Sequence, residues 1–406
     1  MNKKKAVRKK KNKFVKFIKS IPPADFGIIA VTLILIFFGI IMVFSASYYW
    51  SMDQSGKPYS FLFKQIVWAT MGICLMAGLS IIDYKNFQKY SKPIFWISIV
   101  LLLLLFSPLG KETKGATRWL NLGITIMPGE IAKIVAIICT SSFLTRKRRN
   151  INDLKTSIMP LLMMCGIYVG LIMAQPNMST AVTVAAIIIS IMFVAGINLK
   201  YFTAIGIGGV VGGIALIFVG GTYRIKRVTS FLNPFEDASG DGYQVCQSLI
   251  GMGSGGIFGK GLGNGVEKTL YLPEPQNDFI LSVIGEELGM IGVLIVFCLF
   301  IILIWRGIKV AINAPDKLGF LLSAGVVMMI GLQLLFNIAV VVSAMPPTGV
   351  ALPFISYGGN SMLVCCSAIG IVLNVSRQTK RKELEEKRNM LKEEKIYFNR
   401  GVRWEL

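Results

Sequence analysis

The sequence predicts an all-α polytopic membrane protein with ten transmembrane helices and one large loop outside the membrane. Of its 406 residues, 54% are hydrophobic and only 16% are charged, against roughly a quarter charged in ordinary soluble domains. The apolar residues also lie in long uncharged runs, and most of these runs can cross about 30 Å of hydrocarbon. Composition and run length together exclude a soluble multidomain protein.

The elements follow from these runs in chain order. The predicted spans are residues 26–46, 62–82, 93–110, 128–145, two within 156–198, then 201–223, 278–305 and two within 318–376. The motif Gln175-Pro176-Asn177 divides the first long run because proline and two amides interrupt a helix, and residues 345–349 divide the second. A ten-helix membrane domain of residues 26–376 therefore lies between the tails 1–25 and 377–406, and residues 221–277 form the large outer loop.

Basic residues indicate the orientation of the chain. The net charge is +22, and with a cytoplasmic N-terminus 32 of the 43 Lys and Arg residues fall in cytoplasmic segments, as the positive-inside rule requires. Both termini are then cytoplasmic, and the tails are interpreted as topology signals that contact anionic lipid headgroups. This placement argues against nucleic-acid binding.

Histidine is absent, which excludes Ser-His-Asp and Cys-His catalysis and any His-ligated metal. The seven cysteines lie mostly in apolar runs without a CxxC pair, so neither a disulfide scaffold nor a zinc site is expected. No cofactor is evident, although a divalent cation remains compatible with the few carboxylates.

The outer loop carries unusual residues. Arg224 and Arg227 are cations on the face that should avoid them, and they indicate either headgroup contacts or an anionic ligand such as a lipid-linked pyrophosphate. The glycine run 251–265 fits neither a dinucleotide fingerprint nor a P-loop, so we expect a re-entrant loop there.

Acidic residues follow at the start of the eighth span. Asp278 ends the motif Tyr271-Leu-Pro-Glu-Pro-Gln-Asn-Asp, where it is either a helix cap or a general base. Glu286 and Glu287 lie inside the same span, where carboxylates are costly and face a cavity or a partner. A helical spacing would allow Asp278 and Glu286 to share one cavity.

The fourth span carries a second polar set. Glu130 and Lys133 have the i, i+3 spacing of a neutralising pair on one helix face, which is either purely structural or part of a site. Upstream, Arg118 and Trp119 place a cation and an aromatic ring at the outer interface. Trp119 alone would also fit an interfacial aromatic belt.

At these residues the chain resembles the SEDS family of cell-wall proteins, which comprises FtsW, RodA and SpoVE. The resemblance covers roughly residues 25 to 376. It rests on GATRWLNLGITIMPGEIAK at 115–133, QPNMSTA at 175–181, the block 227–292, and PTGVALPFISYGGNS at 347–361. Within the family, the YLPEPQ and NPFED segments resemble the division and sporulation branch, FtsW above all, more than the RodA-like elongation branch.

The resemblance implies a GT-C-like membrane fold and peptidoglycan glycosyltransferase activity on lipid II. By motif, Asp278 matches the family's essential aspartate, Arg118, Glu130 and Lys133 match polar positions around its cavity, and Ser356 and Tyr357 belong to the SYGG motif. Some positions depart from the usual pattern, which puts a catalytic role of the Gln175 hairpin in doubt. These are Asn177, Ser179, Phe235 and Ala238.

The expected reaction uses Asp278 as general base on the acceptor hydroxyl, while cations stabilise the departing polyprenyl pyrophosphate. The resemblance also implies a class B penicillin-binding protein and other division proteins as partners, in the bacterial plasma membrane at the division septum. A lipid II flippase, a RodA-like elongation enzyme and a scaffold that recruits a transpeptidase are the alternatives. Division, sporulation and elongation roles are not separated by the residues alone.

Overall fold

The computed structural model describes residues 22–113, 116–121, 123, 125–146, 151–219, 233–240, 242–347 and 349–399. Helices make up most of this part of the chain. They are α1 Phe26–Ser55, α2 Ser60–Leu79, α3 Lys85–Leu103, α4 Pro128–Thr145, α5 Met159–Met173, α6 Met178–Val194, α7 Leu199–Val219, α8 Tyr243–Ser254, α9 Ile280–Ile312, α10 Lys317–Val341 and α11 Gly359–Asn399. The predicted all-α membrane fold is confirmed.

Eight of the described helices are long and apolar enough to cross a membrane, namely α1 to α5, α9, α10 and α11. The apolar helix α6 is shorter, with 17 residues, and α7 has 21 residues. All helices except α8 occupy the positions of predicted spans, and the proline hairpin at Gln175 separates α5 from α6 as expected. The count of ten membrane crossings stays a prediction, since eight helices among the described residues meet both criteria.

Polar residues fix the ends of several helices. The Asp25 side chain accepts a hydrogen bond from the backbone N–H of Ile28 and so caps α1. At its other end, α1 stops at Gly56, whose φ of 65° suits a residue without a side chain. Asp316 caps α10 in the same way, through the N–H of Gly319.

A small antiparallel sheet lies between α3 and α4, and the sequence did not predict it. Its strands are β1 Gly110–Thr113, β2 Ala116–Asn121 and β3 Thr125–Ile126, in the order β1-β2-β3. Asn360, at the start of α11, accepts a hydrogen bond from Met127 N–H and donates one to the Thr125 carbonyl. The sheet is thereby attached to the end of the bundle where α9 and α11 begin, which we call the Asp278 end.

Helix α9 is broken at Gly289, whose φ of 65° and ψ of −166° are not helical. Four backbone groups around the break lose their helical partners, and the glycine-rich loop after α8 replaces all of them. The replacement bonds run from Lys260 N to Glu286 O, from Gly261 N to Glu287 O, from Met290 N to Gly256 O and from Ile291 N to Ile257 O. An interrupted helix is tolerated in a membrane protein because other backbone satisfies these groups.

The core forms where helices distant in sequence pack together. Helix α2 packs along α11, α9 packs against α1 and α10, and α4 packs against α3 and α6. Helix α11 is 41 residues long and continues without a break through residue 376, the predicted boundary between membrane domain and tail. The middle of α11 lies beside the start of α1, since the Arg377 guanidinium donates to the Pro22 carbonyl.

Candidate functional site

Asp278 is half-buried and lies two residues before the start of α9. Helix α9 begins at Ile280, and its N-cap residue is Phe279, with no side-chain capping bond. Asp278 is therefore not itself the N-cap residue of α9. Gly349 faces the carboxylate, since a Cβ at this glycine would lie 3.5 Å from Asp278 Oδ2, and its φ of +75° also favours glycine.

Asn337, on α10, holds the backbone of Asp278 in place. Its side-chain Nδ2 donates to the carbonyl of Asp278 and to the carbonyl of Val350, both at 2.8 Å. Asn337 is fully buried, where unpaired carbonyls would be costly. One amide therefore joins the loop that carries Asp278 to the loop that carries Gly349.

The SYGG motif contacts the same loop from the other side. Tyr357 donates its backbone N–H to the Gln276 carbonyl at 2.8 Å, and its ring meets Phe61 edge-on with centroids 4.8 Å apart. Burial raises the pKa of the Tyr357 phenol, which keeps it a neutral donor. Ser356 is buried, and its hydroxyl accepts a bond from the Leu352 N–H at 2.8 Å, so in this structure it stabilises a local turn.

Arg118 and Trp119 lie on β2, at the same end of the bundle. Arg118 Nη2 donates to the Pro176 carbonyl at 2.7 Å, in an exposed position. This bond ties the sheet to the Gln175 hairpin. Trp119 is half-exposed and stands opposite Lys111 of β1.

Glu130 and Lys133 form the predicted pair on α4. Lys133 Nζ lies 2.6 Å from Glu130 Oε1, and both residues are buried. The other carboxylate oxygen, Glu130 Oε2, is buried and has no hydrogen-bond partner within the part of the chain described here. A buried carboxylate oxygen without a hydrogen-bond donor is costly. Glu130 Oε2 could therefore accept a hydrogen bond from a hydroxyl or amide group of a ligand.

Glu286 does not share a cavity with Asp278 in this structure. It is fully buried, and Oε1 lies 2.7 Å from both Lys260 Nζ and the Val266 N–H. Oε2 accepts a bond from the Glu267 N–H. Both oxygens are thus occupied by the glycine-rich loop, and a substrate would have to displace these partners.

Glu287 is held in the same manner. Its carboxylate lies 2.5 Å from Lys268 Nζ, and both residues are almost completely buried. The Ser45 hydroxyl of α1 donates to the carboxylate at 2.8 Å and accepts a bond from Lys268 Nζ. This triad joins α1, α9 and the outer loop, so both carboxylates of α9 are held by buried or partly buried ion pairs.

Arg224 and Arg227, the other predicted substrate-binding cations, lie outside the described residues. Within the described ranges, no group of three or more Cys, Asp and Glu side chains is arranged to hold a metal ion. Sequence reasoning missed Asn337 and the partners of Glu286 and Glu287. An amide in an otherwise apolar span was the available signal for Asn337, whereas the partner lysines lie 26 and 19 residues upstream, where no local spacing rule applies.

The chain is similar to proteins of bacterial cell division and sporulation. Residues 26–381 match the FtsW, RodA and SpoVE family, described as "Cell cycle protein". Stage V sporulation protein E of Bacillus subtilis (strain 168) is 38% identical over 358 residues, which cover 88% of this chain and 98% of that protein. A probable peptidoglycan glycosyltransferase FtsW of Geobacter sp. (strain M18) is 37% identical over 354 residues, 87% of this chain and 96% of that protein.

Solved structures have the same fold. A chain from a study described as "Structural coordination of polymerization and crosslinking by a peptidoglycan synthase complex" aligns with a TM-score of 0.73 and 25% identity, covering 88% of this chain and 98% of that one. The rod shape determining protein RodA of Thermus thermophilus aligns with a TM-score of 0.64 and 24% identity, over 88% of this chain and 97% of that one. With the family match over most of its length, the chain belongs to the FtsW, RodA and SpoVE family.

Proposed function

We propose that this chain is a peptidoglycan glycosyltransferase that polymerises lipid II into glycan strands during cell division. The observation that carries the proposal is the placement of Asp278, whose half-buried carboxylate faces Gly349 and whose backbone is fixed by Asn337. The similarity to a probable peptidoglycan glycosyltransferase FtsW over most of both chains supports the choice of reaction.

In the proposed reaction, the 4-hydroxyl of a lipid II sugar attacks the anomeric carbon of a glycan attached to a polyprenyl pyrophosphate. Asp278 accepts the hydroxyl proton, a step worth about 10² to 10⁴ in rate. The new glycosidic C–O bond forms as the bond to pyrophosphate breaks, and the pyrophosphate leaves with the electron pair. A single displacement inverts the α-linkage to a β-linkage, so no covalent enzyme intermediate is needed.

The leaving pyrophosphate requires positive charge. Among the predicted cations, Arg118 is half-buried at the Asp278 end, where its Nη2 donates to the Pro176 carbonyl. It fits this role best, because a guanidinium binds phosphate with paired hydrogen bonds. Lys133 is buried and neutralised by Glu130, so we assign this pair to sugar hydroxyls or amides, which would reach Glu130 Oε2. We propose that Trp119 and Tyr357 contact the sugars of the substrate. Ser356 is proposed to shape the turn that precedes Tyr357.

We also propose that Arg224 and Arg227 bind the pyrophosphate, because both are cations in the large outer loop. A divalent ion that arrives on the pyrophosphate would need few protein ligands, and it remains compatible with this scheme. Glu286 is the weakest of the proposed substrate contacts, since Lys260 and two backbone N–H groups occupy its carboxylate.

Lipid II transport is less well supported than glycan synthesis. Charged residues within the spans are typical of transporters and are the main argument for this alternative. The carboxylates concerned are Glu130, Glu286 and Glu287, and each has a lysine partner within 2.7 Å. Paired, immobile charges of this kind need no transported ion to explain them.

We further propose that the chain works with a class B penicillin-binding protein in the bacterial plasma membrane, at the septum, with both termini in the cytoplasm. The similarity to a chain from a peptidoglycan synthase complex supports the partner. The distribution of Lys and Arg supports the orientation.

The decisive experiment measures glycan polymers made from lipid II by the purified chain, with and without its transpeptidase partner. We expect polymer from the wild type and, for Asp278→Asn, a rate at least 10²-fold lower at an unchanged melting temperature. Asp53→Asn, an exposed acid-to-amide change at the end of α1, is the control and should keep full activity.

An Asp278→Asn protein as active as the wild type would refute the assignment of the base. Should the wild type make no polymer even with its partner, yet move lipid II across vesicle membranes, the transferase proposal would be replaced by the transporter.

A further inference from the structure

A basic cavity lies at the end of the bundle opposite Asp278, beside the start of α1. Its volume is about 460 Å³, and its wall is formed by Pro22, by Ser80 and Ile81 after α2, and by one face of α11. On that face, Arg377, Arg381 and Arg388 recur at helical spacing. The volume falls within the range of small-molecule binding sites, about 300–1,000 Å³.

The cavity has more positive than negative charge. Glu385 is its one acidic wall residue, and Arg381 binds it at 3.1 Å. Neither Arg377 nor Arg388 forms an ion pair with a carboxylate in the described ranges, and Arg377 Nε is buried there without a hydrogen-bond partner. Arg377 also donates through Nη1 to the Pro22 carbonyl, so its remaining donors and the Arg388 guanidinium are available for an anion. A guanidinium presents a fork of donors that matches a phosphate.

The cavity is also partly apolar, and this property favours a phospholipid over a soluble phosphate compound as its ligand. Ile81 and Leu384 border it with exposed fractions of 45% and 56%. A soluble phosphate compound gains nothing from these side chains, whereas the acyl region of a phospholipid would cover them. Because α2 ends at Leu79, the arginines lie where a headgroup would meet the end of a span.

The N-terminal segment of the chain is a poor competitor for this cavity. Residues 1–21 carry ten Lys or Arg residues and no acidic residue, so they would be repelled by Arg377 and Arg388. Charge complementarity instead favours an anion from outside the chain.

We propose that this cavity binds an anionic phospholipid in the leaflet on the side of the termini. Its phosphate contacts Arg377 beside the end of α2, and Arg388, about three turns further along α11, adds positive charge. Bound there, the lipid joins α11 to the ends of α1 and α2. This site is separate from the proposed transferase site, and it would exist whichever reaction the protein performs.

The test compares lipids on the purified full-length protein in nanodiscs and by native mass spectrometry. We expect phosphatidylglycerol to bind at least tenfold more tightly than phosphatidylcholine and to raise the melting temperature, with the preference weakening at high salt. Arg377→Gln/Arg388→Gln should lose this preference. The control Lys382→Gln/Lys387→Gln removes the same charge from residues of α11 that do not line the cavity and should retain it.

Three results would overturn the proposal. The first is equal binding of the two lipids by the wild type, and the second is an unchanged preference in the arginine double variant. The third is glycerol phosphate binding as tightly as the lipid, which would make the ligand a soluble phosphate.

If the glutamine variant does not fold, Arg377→Lys/Arg388→Lys serves instead. It should prefer phosphatidylglycerol more weakly than the wild type, because lysine lacks the paired donors, and an undiminished preference would contradict the assignment.

Discussion

Asn337 fixes the position of the Asp278 main chain, because its side chain binds the Asp278 carbonyl group. Its Nδ2 donates to two carbonyls from different loops, those of Asp278 and Val350. The bond to Val350 is buried and the bond to Asp278 is partly buried, so the amide and the two carbonyls depend on one another. Asn337 is thus a positioning residue.

Replacing this amide should slow catalysis more than it weakens folding. We expect Asn337→Leu to lower kcat by about 10- to 100-fold, since a misplacement of about 1 Å in an active site can cost 10² in rate. Gln333→Leu is the matched control, because Gln333 is a buried amide one turn earlier on α10. The measurement is polymerisation rate against melting temperature for both variants; an equal loss of rate in both would argue for general damage to α10.

The surroundings of Glu267 disfavour the ionised form of its carboxyl group. Desolvation by burial raises the pKa of its carboxyl, the neighbouring Glu286 raises it further, and Lys260 lowers it in part. Because the folded-state pKa lies above the unfolded value, ionised Glu267 destabilises the fold, and this cost disappears as the pH falls through the folded-state pKa.

Glu267→Gln should therefore raise the melting temperature at about pH 8, and the gain should shrink toward about pH 5 as the wild-type carboxyl becomes protonated. Thermal unfolding followed across this pH range provides the measurement. Glu393→Gln, at an exposed site on α11, should show little change at either pH. A gain that grows toward acid pH would contradict the proposed cause.

Some of these residues could be found from sequence and others could not. The pair Glu130–Lys133 followed from local spacing, and Asp278 was singled out as an acid at the edge of a span. Asp278 is not the N-cap residue, because α9 starts two residues later, at Ile280. Asn337 was missed since its partners are backbone carbonyls of distant loops, which leave no mark in the pattern of side chains.

At the scale of elements, Gly289 allows α9 and the glycine-rich loop to share their backbone bonds. A Cβ there would come under 3.0 Å from backbone atoms of Ile257 and Gly259. The left-handed conformation adds about 1–3 kcal/mol of strain for any other residue.

Gly289→Ala should consequently lower the melting temperature strongly and expose the outer loop to protease. Gly253→Ala is the matched control: Gly253 lies in α8, a Cβ there would meet nothing within 4 Å, and alanine favours helix by about 1 kcal/mol. Equal stability of the two variants would show that the loop does not depend on the break in α9.

Element boundaries were predictable where apolar runs end at polar residues. The fourth predicted span coincides with α4, residues 128–145. The sheet was not predicted, because its strands have four, six and two residues and carry too few positions for an alternating pattern to emerge. Helix α11 runs past the predicted boundary at 376, since charged residues end a membrane span without ending a helix.

At the scale of the whole molecule, the two ends of the bundle have different chemistry. The Asp278 end joins the loops around Asp278, Gly349 and Tyr357 with β2, whereas the opposite end gathers arginines beside Pro22. The sequence predicted this polarity through the distribution of Lys and Arg.

Cysteine labelling tests this orientation. A membrane-impermeant maleimide should label Ser55→Cys in intact cells and Asn313→Cys only after permeabilisation, because these exposed residues lie at opposite ends of the bundle. The unaltered chain, whose exposed Cys74 and Cys298 lie within spans, is the background control. The reverse labelling pattern would place the Asp278 end in the cytoplasm.

The pairing of the α9 carboxylates has a consequence for how the protein is made. An ionised residue inside a membrane helix is costly during insertion by the translocon, by up to the about 2.5–3.5 kcal/mol found at the helix centre. Lys260 and Lys268 precede their partners Glu286 and Glu287 in the chain by 26 and 19 residues. Each lysine is therefore synthesised before its glutamate, so the loop that neutralises α9 has already left the ribosome when this helix enters the membrane.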